Sequence, residues 1–218
     1  MTPEDIRARV RREADAASVA LWEGISTGVA SAEATLRGIA HLDDYGFLVP
    51  LLSRVHTRNF WRDGGAPVGW RVGGNPMMMG QTILRNATQG MEMRLLKERR
   101  RTYPGGVPVA GWNGARRNYW TQPSLDIAMP TQPFLDEYVR LLLLWDRLMV
   151  DGVSVLTVRV VHTLAPGVYG RRVPLDLNYE IRSTGGVFDN LSFSGDPENE
   201  DLFADIDRQE NEDDDLAQ

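Results

Sequence analysis

The sequence predicts an α+β fold, and three features carry that prediction. Apolar residues recur at helical spacing through the first 40 residues, residues 131–150 are apolar nearly all round, and residues 153–193 read as short strands set off by Asp-Gly and Gly-Gly. Helices lead and strands follow. The expected arrangement is a long N-terminal helix and a helical half, then a small antiparallel meander packed on a buried helix.

Thr2-Pro3-Glu4-Asp5 opens the first helix, with a capping threonine, a proline suited to the first turn and two acids at the positive end of the helix dipole. Beyond it Ile6, Val10, Ala14, Ala17, Leu21, Ile25, Gly28, Ala32, Leu36 and Ile39 recur in steps of 4, 4 and 3, three times over. That is an eleven-residue repeat of about 3.67 residues per turn, so one stripe faces one partner along a nearly straight helix. Its alanines and glycine make the stripe shallow and invite close backbone approach. A helix over residues 3–40 spans roughly 57 Å, more than the roughly 44 Å diameter of a compact chain of this length. It therefore projects or breaks, with Gly24 and Gly28 as the break points. The projecting alternative makes Leu21, Ile25, Ala32 and Leu36 candidate partner-binding residues.

Residues 41–50 read as a turn, and residues 48–60 as a short helix interrupted by Pro50. Residues 62–76 hold five glycines, two prolines and Trp70, too irregular for a periodic element and too apolar for a solvated linker. They predict an extended arm, with Trp70 as a partner contact. Asn75-Pro76 then starts a second helix ending near Arg101, with Met77, Leu84, Ala87, Met91 and Leu95 on one side. Residues 102–130 make a second Gly/Pro-rich arm. Residues 131–150 predict the clearest helix, supported by Asp136 and Arg140 at i, i+4 and ended by Asp151-Gly152. Strands follow at 153–162, 173–181 and 187–193. The body is one domain over residues 1–195, and residues 196–218 are an acidic tail.

Composition narrows the chemistry. The chain has no cysteine, which removes disulfides, thiolate metal sites and cysteine nucleophiles, and its three histidines are scattered at 41, 56 and 162. No metal site and no cofactor is predicted. No apolar run approaches the roughly 18 residues of a membrane span, and the charged start lacks a signal sequence, so an intracellular or virus-particle location is expected. The formal charge of −6 divides into a tail of eleven acids and one base and a body of net +4.

Two constellations stand out against this background. Arg94, Lys97, Arg99, Arg100, Arg101, Arg116 and Arg117 interleave with Tyr103, Trp112, Tyr119 and Trp120. Cations neutralise phosphates while rings stack on bases, so the pattern suits a single-stranded nucleic acid, although helix-end charges and interface tryptophans produce the same pattern. The tail's composition reads by default as a solvated segment, while Leu202, Phe203 and Ile206 form one apolar edge among its acids, suited to docking on a partner, and the acids themselves suit competition for the basic segment. His41 with Asp43 and Asp44 reads as turn chemistry, and His162 as a structural histidine ending an apolar strand. The leading expectation is a non-enzymatic assembly subunit of a larger particle, a virion component being one setting, that meets protein neighbours through its helix and arms. The alternative is a single-strand nucleic-acid binder with a regulatory acidic tail; a hydrolytic enzyme with an unrecognised site comes last.

Overall fold

Helix α1, Pro3–Leu36, runs unbroken for about 51 Å. The computed structural model describes residues 3–100, 102–125, 138–151 and 153–184. The expected strand at 187–193, the acidic tail with Leu202, Phe203 and Ile206, and Arg101 lie outside these. The predicted stripe is buried from Ile6 to Leu36. Its partner, however, is the chain itself. Ile6, Val10, Ala14, Ala17, Leu21 and Ile25 enter one core with residues of the sheet, and helix α2, Leu48–Phe60, folds back antiparallel along the rest of α1. Leu21, Ile25, Ala32 and Leu36 are consequently interior residues, not a surface for a neighbour.

Gly24 and Gly28 mark the crossing of the two helices and do not break α1. A Cβ on Gly24 would lie 2.1 Å from Trp61 Nε1, and one on Gly28 would lie 2.0 Å from Thr57 Oγ1. Only hydrogen in place of a side chain lets α2 come this near. The Trp61 indole N–H seals the contact by donating to Ala20 O at 3.2 Å. Pro50 does not interrupt α2, because it sits in the first turn, where no backbone N–H is needed for an intrahelical bond.

The sheet has six strands in sequence order: β1 Arg71–Gly73, β2 Ile83–Asn86, β3 Met91–Lys97, β4 Val139–Val150, β5 Val153–Thr163 and β6 Leu175–Ile181. All neighbours are antiparallel except β3 and β4, which run parallel with Leu95 opposite Leu143. The fold is α+β, as the sequence predicts, but two expected helices are strands. The helix expected from Pro76 to Arg101 is instead the β2–β3 hairpin. Met91 and Leu95 are four apart, a spacing that puts side chains on one face of a helix and equally on one face of a strand. Asn75 caps no helix; its Oδ1 accepts from Met77 N–H in a tight turn that ends with Met79 at φ 54°.

The helix expected over residues 131–150 is replaced by β4, with residues 126–137 outside the description. A strand in the middle of a sheet covered on both faces is apolar all round, just like a buried helix. Leu141, Leu143 and Trp145 face the helical core, whereas Leu142 and Leu144 join Val107, Ala110, Tyr119, Trp120, Val161 and Val173 in a second core on the other face. The β4–β5 hairpin pairs Val150 with Val153 and holds Asp151 at φ 51°.

Both Gly/Pro-rich segments are largely held down. Trp70 is buried in the helical core, so it is not the partner contact expected of it. Arg58 of α2 fastens the first segment by donating to the carbonyls of Gly73 at 2.5 Å, Gln81 at 2.9 Å and Gly74 at 3.3 Å. The second segment lays Val107, Ala110 and helix α3, Gly114–Trp120, over the far face of the sheet. Among their described residues the large apolar side chains left exposed are Val68, fully accessible, and Trp112, and Met77 to Met79 are exposed just beyond the first segment.

Candidate functional site

Helix α3 is short, and its placement decides the chemistry of this face. Asn113 caps it, accepting from Arg116 N–H at 3.0 Å. The turn that follows drives Tyr119 and Trp120 into the core, where Trp120 N–H donates to Pro108 O at 2.9 Å and Tyr119 O–H donates to Leu141 O at 3.2 Å. The two rings are thus a fixed floor. Arg94 of β3 lies over both, 5.9 Å from the Tyr119 centroid and 5.7 Å from that of Trp120. Arg116 reaches the Trp120 ring at 4.9 Å, and Arg140 the Tyr119 ring at 6.0 Å. Cations over ring faces are attracted by the negative π surface, which holds the guanidiniums in place without neutralising them.

The basic residues around this floor fall into two groups. One is neutralised. Lys97 pairs with Asp146 at 2.6 Å, Arg100 lies 2.9 Å from Glu98 and 3.6 Å from Asp146, and Arg159 reaches Glu98 at 2.5 Å. Glu92 takes Arg85 at 3.0 Å and Arg140 at 3.7 Å. The other group is Arg54, Arg94, Arg99 and Arg116, and among the described residues no carboxylate forms an ion pair with any of them.

Arg94 and Arg116 share the Trp120 ring, and the charges of Arg54 and Arg99 bear on this pair. Burial lowers the pKa of the Arg54 guanidinium, and Arg116 and Arg99 lower it further. Burial likewise lowers that of Arg94, with Arg54 adding to the effect and Tyr119 and Glu92 opposing it. Arg116 is lowered by burial, by Arg94 and by Arg99, against a contrary pull from Tyr103. Arginine nevertheless stays protonated at any working pH, so the charge is relieved only by an anion. The Nε atoms of Arg94 and Arg116 are also buried without a hydrogen-bond partner among the described residues.

Of the basic and aromatic residues singled out by sequence, the fold brings Arg94, Arg99 and Arg116 together with Tyr103 beside them. Lys97 and Arg100 are spent on acids and are not free for phosphate. Tyr119 and Trp120 are buried, so they support arginines and cannot stack on a base. Trp112, 96% exposed, and Arg117 remain at the surface. Tyr103 meets Tyr169 edge to face with centroids 5.7 Å apart, and Tyr169 is exposed. Arg54 was not singled out. It lies forty residues upstream on α2, tethered to Met79 O at 2.8 Å, and only the tertiary fold carries it to the others.

A separate cavity of about 150 Å³ opens between Ile6, residues 121–125, residues 138–140 and His162. His162 Nδ1 lies 2.6 Å from Asp176 Oδ1, while Asp176 Oδ2 accepts from Leu125 N–H at 2.7 Å and from Ser124 at 3.1 Å. Burial raises the Asp176 carboxyl, but these bonds and the charge of the neighbouring ring outweigh it and hold the group below its ordinary value. Three elements are stapled here. Among the described residues no group of three or more acids and histidines is placed to hold a metal, and no helix is long and apolar enough to cross a membrane. No protein-family model, curated protein or solved structure matches the chain.

Proposed function

We propose that the protein binds single-stranded nucleic acid through its phosphates. The observation that carries this reading is the stacking of Arg94 and Arg116 on the Trp120 ring without carboxylate partners among the described residues, with the charges of Arg54 and Arg99 bearing on them. Such a cluster costs stability through self-repulsion, and a bound polyanion offsets that cost. Half-buried Tyr103, which meets exposed Tyr169, and exposed Trp112, just before α3, offer rings to unpaired bases.

The test is fluorescence anisotropy with a labelled single-stranded DNA of about 20 nucleotides across a salt series. Neutralising three or four phosphates gives a log–log slope of about −2 to −3, each contact on a single strand contributing about −0.7. Arg94→Gln with Arg116→Gln flattens the slope by about 1.4. The same double variant keeps its thermal stability, because removing mutually repelling charges relieves the fold. Absence of salt-dependent affinity for DNA and RNA alike overturns the reading.

A second reading, an assembly subunit meeting protein neighbours, rests on Val68 and Trp112 of the two Gly/Pro-rich segments and on Met77 to Met79 just after the first, large apolar side chains left in water. The α1 stripe no longer supports it. Mass determination in solution with and without nucleic acid separates the two: self-association without nucleic acid favours assembly, and a monomer that gains one strand favours binding.

A further inference from the structure

We propose that the cavity beside His162 binds a small neutral molecule carrying one hydroxyl group on an apolar body, with His162 Nε2 as its hydrogen-bonding partner. The proposal does not depend on the nucleic-acid reading. His162 belongs to the alternating set of Val158 and Val160, whose side chains enter the core under α1, so its imidazole points to the face on which Ile6 lies. That side chain is 1% exposed. The bulge that skips Asp176 between Leu177 and Leu175 lets its carboxylate reach the ring, where it takes Nδ1 at 2.6 Å. Nε2 has no partner among the described residues. A buried polar atom left in this way costs free energy until something engages it.

The lining sets the chemistry of what engages it. Ile6, Pro123, Leu125 and Val139 supply apolar walls. Gln122 is spent, donating to Arg140 O at 2.5 Å and accepting from Arg140 N–H at 2.8 Å. Ser124 gives its hydroxyl hydrogen to Asp176, and Thr121 gives its own to Arg117 O. Arg140 lines the cavity too, but it alternates with Leu141 onto the opposite face of the sheet, where its guanidinium meets Glu92 and the Tyr119 ring. Among the described lining residues no arginine or lysine head group is therefore offered to an anion. An ionised carboxylate only accepts, so Asp176 keeps the proton on Nδ1. Nε2 then accepts when the ring is neutral and donates when it is charged. A hydroxyl answers both states, because it donates and accepts, whereas a carbonyl answers only one. The cavity measures about 150 Å³, room for one benzene-sized body.

The test is an NMR titration of isotope-labelled protein with phenol, cyclohexanol, benzene and benzoate, following the methyl groups of Ile6, Leu125 and Val139 and the Nε2 resonance of His162. Phenol and cyclohexanol are expected to shift all four signals, and phenol to bind about tenfold more tightly than benzene, which leaves Nε2 unpaired. Benzoate is expected not to bind. His162→Phe removes the advantage of phenol over benzene; should that variant fail to fold, the order of the four probes on the wild-type protein decides alone. Phenol without cyclohexanol narrows the body to a planar ring, and the reverse to a saturated one, and either supports the site. Benzene binding as tightly as phenol overturns the hydrogen bond and the proposal with it. Benzoate binding more tightly than phenol overturns the neutral class. No binding by any probe, or shifts that spare these four residues, overturns the site and leaves the cavity to water.

Discussion

Glu98→Ala is expected to lower the unfolding free energy by about 3–5 kcal/mol, the cost of removing one partner from a buried ion pair. The Glu98 side chain is 1% exposed and stands between two guanidiniums, Arg159 Nε at 2.5 Å and Arg100 Nε at 2.9 Å. Arg100 is half exposed and can return to water. Arg159, only 14% exposed, has no such exit. It also donates to Gly105 O at 2.5 Å and Asn178 Oδ1 at 3.0 Å, so the uncompensated charge would sit where turn 99–106, β5 and β6 meet. Glu98→Gln, which keeps shape and loses charge, should fall between wild type and Ala. Urea unfolding with linear extrapolation measures all three, and a loss below about 1 kcal/mol for Glu98→Ala contradicts the argument.

Gly28→Val should destabilise by about 3 kcal/mol, the upper part of the range for overpacking. A Cβ there meets Ser53 O and Thr57 N at 2.8 Å besides the threonine hydroxyl, and backbone cannot rotate away as a flexible side chain does. The α1–α2 pair must separate. In a chain of this size the loss appears as a fall in Tm of about 6–12 °C. Gly38→Ala is the internal control, since nothing lies within 4 Å of a Cβ at that position. Its Tm should match or slightly exceed wild type through reduced freedom of the unfolded chain. Equal effects of the two substitutions would mean that the helix crossing is not tight.

The parts of the fold legible in sequence are those where only one periodicity fits. The stripe of α1 needs steps of 3 and 4, which no strand supplies, and the alternation Leu175, Leu177, Tyr179, Ile181 needs steps of 2, which no helix supplies. Met91 with Leu95 satisfies both, and Leu141 to Trp145 satisfies neither in preference, being apolar at every position. There the outcome rests on tertiary context, since β4 is covered on both faces. Asp151-Gly152 ends a helix or turns a hairpin with equal ease.

The candidate site divides along the same line. Interleaved arginines and rings within residues 94–120 mark the region, but composition does not say which cations meet acids. Glu98 and Asp146 sort Lys97 and Arg100 out of the site through contacts far apart in sequence, and Arg54 enters it the same way. Similarly, the small residues of α1 announce a close neighbour without saying that the neighbour is α2.

The parallel pairing of β3 with β4 bears on how the chain finds this structure. The sheet consists of two antiparallel meanders, β1–β3 and β4–β6, whose internal connections are all far shorter than residues 98–138, which separate the strands of the one seam joining them. Closing a loop of that length costs entropy before any seam contact repays it, whereas the two-residue β4–β5 turn closes almost at once. The meanders should therefore gain protection from amide exchange first and the seam last, in pulse-labelling during refolding; simultaneous protection of all three would refute this order. Because Arg94 stands on one side of that seam and the Leu141 carbonyl that anchors Tyr119 on the other, the stacking of arginine on these rings comes into being only when the two halves of the sheet have met.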